Sequence, residues 1–473
     1  MARILFIQNQ TYTYPGIYYI CGILKSTGHH YKVVIDKRDG LLEKEIKDFS
    51  PDFAGFPCLT GIHKLVLESA AKVKKYRPDC KTLVGGIHPT LCKDFVLNKD
   101  IDFICRGEGE EATKELLDSW EMRSEDYSHV QNISWKRERE VSHNKMRNLV
   151  IPMDELPFPD YSAYKDIPLL ANTSYPMVWL TRGCPFSCAY CHNHNQRELF
   201  KGKGRYTRSF SIDRIFSEVQ SVIANYPRTQ AVLLGADHLG GDKTFIEQLF
   251  TGFSHKFDIP YTCQMRPEFI TEDIAKLLRD TNCHMIAFGI ESGSERIRSD
   301  LLQRKYTNEK ILEVSNLLKK YKIKFRTFNM VGFPSETRME MFETLKINQT
   351  IKPNFPWCSI YTPYPETKLA DYAISNNYLD ADFNFDNVPY SFFNDTILKN
   401  VDRDYILNFH SFFQLMVLFP WISPLMKIFL KFPHNIIFKL IFKVTYSFLC
   451  IKAEKRTFLS FIKLAWANRR LFR

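Results

Sequence analysis

Residues 183–192 read Gly-Cys-Pro-Phe-Ser-Cys-Ala-Tyr-Cys-His, and this loop decides how the rest of the chain is interpreted. Cys184, Cys188 and Cys191 have the spacing Cys-x3-Cys-x2-Cys and directly follow an apolar stretch, Met177–Leu180, that is typical of a buried strand. Three soft thiolate ligands on one tight loop suit an iron–sulfur cluster or a zinc ion. The loop therefore predicts a metal centre at the end of a strand.

The spacing alone leaves the metal open. A structural zinc site closes its shell with a fourth ligand, which His192 or His194 could supply. Cysteines without metal are the least favoured interpretation, because clustered cysteines in a reducing compartment more often bind metal than form disulfides. The opening residues, MARILFIQ, predict a buried strand rather than an export signal, so we expect a cytoplasmic location.

Short apolar runs and amphipathic helical stretches alternate on the C-terminal side of the cysteine loop. Together with the strand before the cysteines they give six strands. This order predicts a partial (β/α)6 barrel over residues 173–370, with its functional residues at the C-terminal ends of the strands.

Residues 1–120 show the same alternation, with five short apolar runs separated by helices. This pattern predicts an α/β, doubly wound, flavodoxin-like parallel sheet, which binds ligands at the carboxyl ends of its strands. Three such ends carry glycine and polar residues, at Phe56–Gly61, Gly85–Thr90 and Arg106–Glu110. Adjacent glycines let a backbone approach a large flat ligand, and ordinary tight turns explain the same pattern equally well.

A connector over residues 121–172 is predicted between these two domains. Residues 132–145 alternate polar and apolar side chains, which is compatible with a hairpin. The prolines within residues 154–160 favour an extended backbone, because proline restricts both its own φ and the residue before it.

The charge of the chain is concentrated at one end. The 473 residues contain 64 Lys and Arg against 53 Asp and Glu, a net charge of +11. From Tyr405 to Arg473 we count eleven basic residues and one acid, Glu454, a net +10. The body is therefore close to neutral, so we expect no nucleic-acid partner.

The region 371–473 is predicted to be helical, aromatic and basic. Residues 405–473 contain sixteen Phe, Tyr and Trp, and Leu407–Met426 carries no charged residue although Pro420 and Pro424 interrupt it. Lysines then recur as one basic stripe of a helix beside a wide apolar face, at Lys427, Lys431, Lys439 and Lys443. A helix in an anionic membrane interface and a helical cap on the barrel fit this pattern equally well, and a true membrane span fits it least.

Taken together, these motifs resemble those of radical S-adenosylmethionine (SAM) enzymes that carry an N-terminal cobalamin-binding domain. The resemblance covers about residues 1–370 and rests on the cysteine loop, on Thr27–Asp36 (TGHHYKVVID), and on the GGIHPT, RGEGE and GIESGS segments. It implies that the three cysteines hold a [4Fe–4S] cluster and that SAM occupies the fourth iron. It also implies that one-electron reduction of SAM yields methionine and a 5′-deoxyadenosyl radical.

The resemblance further implies a set of SAM-contacting residues at the barrel strand ends. Glu291 has a plain alternative as the cap of the following helix. Glu366 stands where the family usually has glycine, so that turn is expected to differ locally. The implied SAM contacts are Tyr190, Asp237, Arg266, Glu291, Ser292 and Gly332.

The implied cobalamin contacts lie in the three glycine-bearing turns of the first domain. They are Thr60, Gly85, Gly86, His88, Pro89, Thr90, Arg106, Gly107 and Glu108. The chain lacks the Asp-x-His-x-x-Gly segment that supplies a cobalt ligand in many cobalamin proteins, so no histidine from that motif is expected on the lower cobalt face. His29, His30 and His63 are predicted to be surface or turn residues.

The resemblance implies a methyltransferase that acts on an unactivated carbon of a small or lipid-like metabolite. A cobalamin-dependent cyclase or rearrangement enzyme is the first alternative, and a zinc-stabilised binding protein is an alternative of another class. A one-electron reductant such as a flavodoxin or ferredoxin is an implied partner. The basic C-terminal region adds a possible peripheral position on the inner face of an anionic membrane.

Overall fold

The computed structural model describes residues 1–37, 40–137, 140–453, 462–463 and 465–466. The strands are β1 (Arg3–Gln8), β2 (His30–Ile35), β3 (Phe53–Pro57), β4 (Lys81–Gly85), β5 (Phe103–Cys105), β6 (Ile133–Arg137), β7 (Glu140–His143), β8 (Met177–Trp179), β9 (Thr181–Arg182), β10 (Arg208–Ser209), β11 (Val232–Gly235), β12 (Tyr261–Gln264), β13 (Cys283–Glu291), β14 (Lys324–Val331) and β15 (Phe355–Ile360). The helices are α1 (Pro15–Ser26), α2 (Leu41–Phe49), α3 (His63–Tyr76), α4 (Ile87–Leu91), α5 (Glu110–Glu121), α6 (Pro168–Ala171), α7 (Asn193–Leu199), α8 (Ile212–Asn225), α9 (Lys243–Lys256), α10 (Glu272–Asp280), α11 (Asn308–Lys320), α12 (Arg338–Ile351), α13 (Lys368–Ser375), α14 (Arg403–Leu418), α15 (Ser423–Phe429) and α16 (Ile436–Ala453).

The chain forms two compact units. The first comprises residues 1–173, 182–184 and 195–228, and the second comprises residues 174–181, 185–194 and 229–473. The four regions predicted from the sequence, with boundaries near residues 120, 172 and 370, remain a prediction.

The first unit is built on a seven-stranded sheet in the order β2-β1-β3-β4-β5-β6-β7. Strands β1 to β5 are parallel, which confirms the doubly wound, flavodoxin-like sheet and places its topological switch point between β1 and β3. Strand β6 pairs antiparallel with β5 and β7 pairs antiparallel with β6, so the strand pair of the connector extends this sheet. Apolar strand residues such as Leu5, Ile7 and Val84 pack against Val66 and Val73 of α3 in a fully buried core.

Two sequence predictions for this unit are wrong. His30 is exposed, as predicted for a surface residue, whereas His29 and His63 are 5% and 0% exposed and lie beside turns rather than in them. The Nε2 atom of His29 lies 3.0 Å from a carboxylate oxygen of Asp118, and the ring of His63 stacks on His88 with 4.5 Å between centroids. The contact with Asp118, and the hydrogen bond that the Gly61 N–H donates to His63 Nδ1 at 3.1 Å, allow these two imidazoles to be buried. The Gly85–Thr90 segment is also not a plain turn, because helix α4 begins at Ile87.

The second unit contains the predicted six-stranded parallel sheet, in the order β15-β14-β13-β12-β11-β8. Each strand is followed along the chain by helical segments, as in a partial (β/α)6 barrel. The helices begin at clear caps; Thr337 and Glu340 form a reciprocal capping box at the start of α12. The predicted fold of this region is confirmed.

The C-terminal region is helical, and its first helix caps the barrel. Twelve of the sixteen residues of α14 are buried, and Phe409 and Phe413 join one core with Val331 and Ile360 of the barrel strands. Strand β15 is the sheet edge, and α14 covers it. Gln414 Nε2 donates to the Pro356 carbonyl at 3.1 Å, and His410 Nε2 lies 3.2 Å from the Cys358 carbonyl.

The single basic helix predicted through Lys427, Lys431, Lys439 and Lys443 is wrong. Helix α15 ends at Phe429 and α16 begins at Ile436, because Pro433 has no backbone N–H to donate and disfavours helix at the residue before it. No helix in the described part of the chain has the length and apolar character needed to cross a membrane. Most of the basic tail after Ala453 lies outside the described residues.

Candidate active site

The cysteine loop is anchored to the barrel by backbone hydrogen bonds. The Ala189 N–H donates to the Leu302 carbonyl at 3.0 Å, and the Leu369 N–H donates to the Ala189 carbonyl at 2.9 Å. The Cys191 N–H donates to the Cys188 carbonyl at 3.0 Å and closes a tight turn between the two cysteines. Cys188 is 8% exposed, and Cys184 and Cys191 are half-buried.

Arg266, at the end of β12, lies against this loop. Its guanidinium donates a hydrogen bond to Cys188 Sγ at 3.5 Å and stacks over the Phe186 ring, 3.7 Å from the centroid. It also forms an ion pair with Glu268. Arg266 therefore links the end of the β12 segment to the cysteine loop through both Cys188 and Phe186.

Tyr190, Glu291 and Arg304 form a buried polar cluster beside the loop. The Tyr190 hydroxyl donates to Glu291 Oε1 at 3.0 Å, and Arg304 Nη1 donates to the Tyr190 hydroxyl oxygen at 3.0 Å and lies 3.2 Å from Glu291 Oε1. Burial raises the pKa of Glu291, and the Arg304 charge and the Tyr190 hydrogen bond oppose that rise. Glu291 therefore does not cap the next helix. It adopts φ 65°, which turns the chain at the end of β13.

A cavity of about 300 Å³ opens next to this cluster. Its walls come from β14, β15, the loop that follows β15, and Phe392. Aromatic and aliphatic side chains dominate them, among them Phe328, Met330, Trp357 and Tyr361. Pockets for small organic ligands have this composition, apolar walls with a few polar groups that fix orientation.

The other predicted SAM contacts are placed differently. Asp237 is exposed two residues after β11. Ser292 is fully buried, and its hydroxyl lies 3.3 Å from that of Thr344 on α12. Gly332 has φ 78°, and a Cβ there would lie 2.9 Å from Ile406 of α14. Glu366, where glycine was expected, does adopt a positive φ of 62°.

Glu336 is a half-buried residue in the loop after β14, with its carboxyl group turned inward, that the sequence analysis did not single out. Its Oε2 accepts hydrogen bonds from the N–H groups of Gly332 at 2.6 Å and Phe333 at 3.2 Å. Its Oε1 is buried without a hydrogen-bond partner among the described residues. Burial raises the pKa of this group from 4.5 to about 8.

We expect Glu336 to make stability fall as the pH rises. Between the unfolded pKa of 4.5 and the folded value of about 8, the folded chain binds one proton more than the unfolded chain. The wild type should therefore lose about 1.4 kcal/mol per pH unit relative to Glu336→Gln between pH 5.5 and 7.5. Denaturant unfolding of both proteins across this range measures the difference. A difference that stays constant with pH would show that the folded carboxyl is ionised.

The three predicted cobalamin turns lie at the carboxyl ends of β3, β4 and β5 in the first unit. Thr60 Oγ1 lies 3.1 Å from His88 Nδ1, and the Gly107 N–H donates to Thr90 Oγ1 at 2.9 Å, so side chains link the turns. His88 is 2% exposed, and burial lowers its pKa to about 3. Its ring packs inside the domain against His63 and Phe95.

At two glycines in these turns, a larger residue would clash with neighbouring atoms of the protein. Gly86 has φ 110°, and a Cβ there would lie 2.6 Å from the Cys58 carbonyl oxygen. Gly107 has φ 83°, and its Cβ would lie 2.5 Å from Phe200. Gly85 is different, because its Cβ would meet only Cys105, at 3.9 Å. The backbone at Gly85 can thus be approached from outside.

The remaining charged residues of the third turn differ in their surroundings. Glu108 lies between two arginines, Arg182 at 3.1 Å and Arg208 in closer contact. These charges lower the pKa of Glu108 against the opposing effect of burial. Arg106 is half-buried, and burial lowers its pKa. Glu108 therefore holds the turn in place through charge pairing.

The comparisons with known proteins agree with this architecture. Residues 179–347 match the radical SAM superfamily, and residues 9–117 match the B12 binding domain. The uncharacterized methyltransferase PH0819 of Pyrococcus horikoshii is 28% identical over 375 residues, 77% of this chain and 79% of the relative. The anaerobic magnesium-protoporphyrin IX monomethyl ester cyclase of Cereibacter sphaeroides is 23% identical, over 74% of this chain and 58% of the relative.

A solved structure shows the same fold. The cobalamin-dependent S-adenosylmethionine radical enzyme OxsB with aqua-cobalamin bound superposes with a TM-score of 0.69, at 15% identity, over 99% of this chain and 75% of the other. The chain belongs to the radical SAM enzymes that carry a B12-binding domain. Its cofactors are a [4Fe–4S] cluster, SAM and cobalamin.

Sequence reasoning missed three parts of the site. Arg304 follows a π-helical turn, Ile297–Leu301, and no local pattern links it to Glu291. Glu336 lies in the loop after β14, and its hydrogen bonds with the Gly332 and Phe333 N–H groups depend on the folded shape of that loop. The aromatic cavity wall depends on which side chains of β14 and β15 point inward, together with Phe392 from far along the chain. The alternation of inward-facing and outward-facing side chains along β15 was the one sequence feature that could have indicated this wall.

Proposed function

We propose that the protein is a methyltransferase that moves a methyl group to an unactivated carbon of a small or lipid-like metabolite. The observation that supports this most is the alignment with PH0819, a relative that is named a methyltransferase and that aligns over 375 residues, 77% of this chain. That alignment covers 79% of the relative, so the similarity is not confined to one domain.

In this proposal Cys184, Cys188 and Cys191 hold the cluster. Thiolates are the ligands that such clusters require, and the Arg266 guanidinium at 3.5 Å from Cys188 Sγ offsets part of their charge. When bound, the cluster and SAM supply a one-electron cleavage that produces a hydrogen-abstracting radical. The chain's own contribution is to fix the loop, through the Ala189 hydrogen bonds, and to keep the site dry.

Glu291 and Tyr190 are proposed to orient SAM at the cavity. Their oxygens converge beside the cluster loop, and Arg304 holds both in place from behind. Oxygen acceptors there suit the amino and hydroxyl groups of SAM. Asp237, Arg266, Ser292 and Gly332 remain predicted contacts. Of these, Arg266 has the geometry to act on the cluster loop, and Ser292 acts through the packing of the GIESGS segment.

The glycine turns of the first unit are proposed to hold cobalamin, which supplies the methyl group when bound. The open backbone at Gly85 fits a flat ligand, and Gly86, Gly107 and Glu108 fix the turn geometry around it. The buried ring of His88, packed against His63 and Phe95, would hold the β4 turn in place when cobalamin is bound.

A cyclase or rearrangement enzyme is the second candidate. It is supported by the alignment with the Cereibacter sphaeroides cyclase, which covers 74% of this chain. The zinc-stabilised binding protein is not retained, because the chain belongs to an enzyme family with a [4Fe–4S] cluster.

Counting the nucleoside products separates the two candidates. A methyltransferase consumes one SAM for the radical and a second SAM to restore the methyl group on cobalamin. With substrate present, 5′-deoxyadenosine and S-adenosylhomocysteine should therefore form in equal amounts. A cyclase or rearrangement enzyme would form 5′-deoxyadenosine without S-adenosylhomocysteine, and that result would contradict the proposal. Quantitative chromatography of an anaerobic reaction with cell extract measures both products.

Two partners remain predictions. A flavodoxin or ferredoxin is proposed as the electron donor, because the chemistry needs a one-electron reductant. Peripheral attachment to the inner face of an anionic membrane was predicted from the charge pattern of residues 405–473.

A further inference from the structure

Ten large apolar side chains in a short segment of the second unit are exposed to solvent. Each is at least 46% exposed, whereas only six large apolar side chains reach that exposure in the described part of the first 418 residues. They define what we call the α15–α16 patch: Phe419, Trp421, Leu425, Ile428, Phe432, Ile436, Ile437, Leu440, Val444 and Phe448. Soluble proteins rarely expose large apolar side chains in such a concentrated group.

Helix α16 has two apolar faces that differ in their surroundings. At about 100° per residue, Ile436, Leu440, Val444 and Phe448 form one stripe about 120° wide, and these side chains are 50–69% exposed. The opposite stripe is buried against α14 and β15; it consists of Phe438, Phe442, Thr445, Leu449 and Cys450. The buried stripe therefore packs α16 against α14 and β15. The exposed stripe does not contribute to that packing.

Basic residues border the exposed stripes. On the same helical projection Lys439 and Lys443 lie along one edge of the α16 stripe and Lys452 lies beyond the other edge. Lys427 and Lys431, both exposed, flank the stripe Trp421, Leu425, Ile428 and Phe432. Between Tyr405 and Ala453 the sequence contains no Asp or Glu. The patch is thus apolar in its centre and positive at its border.

We propose that the α15–α16 patch docks this protein on the surface of an anionic lipid bilayer. Trp421, 80% exposed, and the aliphatic stripe would enter the headgroup region, and the lysines would contact lipid phosphates. A protein partner would need acidic groups placed opposite five lysines. It would also need an apolar surface that fits ten apolar side chains. A bilayer supplies both without a specific shape, and the absence of acids in the patch favours it.

The patch lies directly behind the cavity wall. Tyr446 of α16 packs against Trp357 in a T-shaped contact with 5.5 Å between ring centroids, and Trp357 lines the cavity. A membrane-bound α16 would therefore hold the second unit with its cavity wall close to the lipid headgroups. The docking proposal does not depend on the proposed reaction.

Cosedimentation of the full-length protein with cofactors bound tests the proposal. With vesicles of phosphatidylcholine and phosphatidylglycerol at low salt, the protein should pellet. Binding should weaken but persist at about 1 M salt, where the Debye length is about 3 Å, because the apolar contribution does not depend on salt. Trp421→Ser combined with Ile437→Ser and Val444→Ser should lower the partition coefficient about tenfold or more. Met339→Ser, at 73% exposed outside the patch, should leave it unchanged.

The same proteins distinguish the other occupants. All four positions are exposed, so each variant should keep its melting temperature and cofactor content. If the wild type stays in the supernatant and light scattering shows a dimer that the triple variant abolishes, the patch joins two copies of the chain and the proposal is wrong. If the wild type neither pellets nor dimerises, the patch does not bind a bilayer, and the proposal is equally wrong. Truncation before Tyr405 is not used, because it would remove α14 from the barrel core.

Discussion

Replacing Cys188 with alanine should abolish the reductive cleavage of SAM. Cys188 is the most buried cysteine of the loop and accepts a hydrogen bond from Arg266. Without its thiolate the loop offers two ligands, which cannot hold a [4Fe–4S] cluster against dissociation. We expect anaerobically reconstituted wild type to contain about four irons and four sulfides, and the variant to contain little of either and to form no 5′-deoxyadenosine. Cys184→Ala and Cys191→Ala should behave in the same way.

Cys283→Ala is the matched control. Cys283 is half-buried, as Cys184 and Cys191 are. It is the first residue of β13, at the opposite end of that strand from Glu291. Its removal should leave the iron content and SAM cleavage at wild-type levels. Full cleavage activity in Cys188→Ala, or stoichiometric zinc without iron in the wild type, would contradict the assignment of the three cysteines as cluster ligands.

Replacing Gly86 with alanine should remove most of the bound cobalamin. The backbone at this position has φ 110°, and the new Cβ would lie 2.6 Å from the Cys58 carbonyl oxygen, which belongs to the neighbouring turn. The backbone of residue 86 fixes the position of the Cβ, and the Cys58 carbonyl is itself backbone, so the turn must shift; a strained residue of this kind costs about 1–3 kcal/mol. We expect cobalamin retention to fall about tenfold or more, as measured by absorbance after reconstitution and gel filtration.

Gly85→Ala separates folding from cobalamin binding. Its Cβ would meet only Cys105 at 3.9 Å, an ordinary contact, so the variant should melt as the wild type does. Loss of cobalamin from a stable Gly85→Ala protein would show that the ligand approaches this backbone. Wild-type retention of cobalamin in Gly86→Ala would contradict the assignment of the β4 turn to cobalamin.

The fold could be predicted because it rests on local patterns. The opening residues MARILFIQ form the buried strand β1, Arg3–Gln8, as predicted, and strand β5, Phe103–Cys105, coincides with another short apolar run. Continuous apolar runs between amphipathic helices identify a parallel sheet before any contact is known. The order of strands β2-β1-β3-β4-β5 then follows from the doubly wound class.

The parts that the sequence did not predict depend on contacts between distant segments. His63 is buried because His88, from the next turn, stacks on it. The basic residues of the C-terminal region looked like one helical stripe, but Pro433 divides them between two helices. α14 became a cap because its residues pack against β14 and β15, and hydropathy alone cannot distinguish that burial from burial in lipid. Arg304 contacts Tyr190 because the chain reverses direction after β13.

The most direct test of the central claim follows the methyl group itself. The full-length enzyme, with its cluster and cobalamin in place, would be incubated anaerobically with a reductant, a metabolite and lipid extract, and SAM carrying a deuterated methyl group. The account predicts a product that is heavier by one deuterated methyl group, formed together with 5′-deoxyadenosine and S-adenosylhomocysteine and absent when Cys188→Ala is used. Extract-dependent formation of 5′-deoxyadenosine with all of the label remaining in SAM and methionine would contradict it.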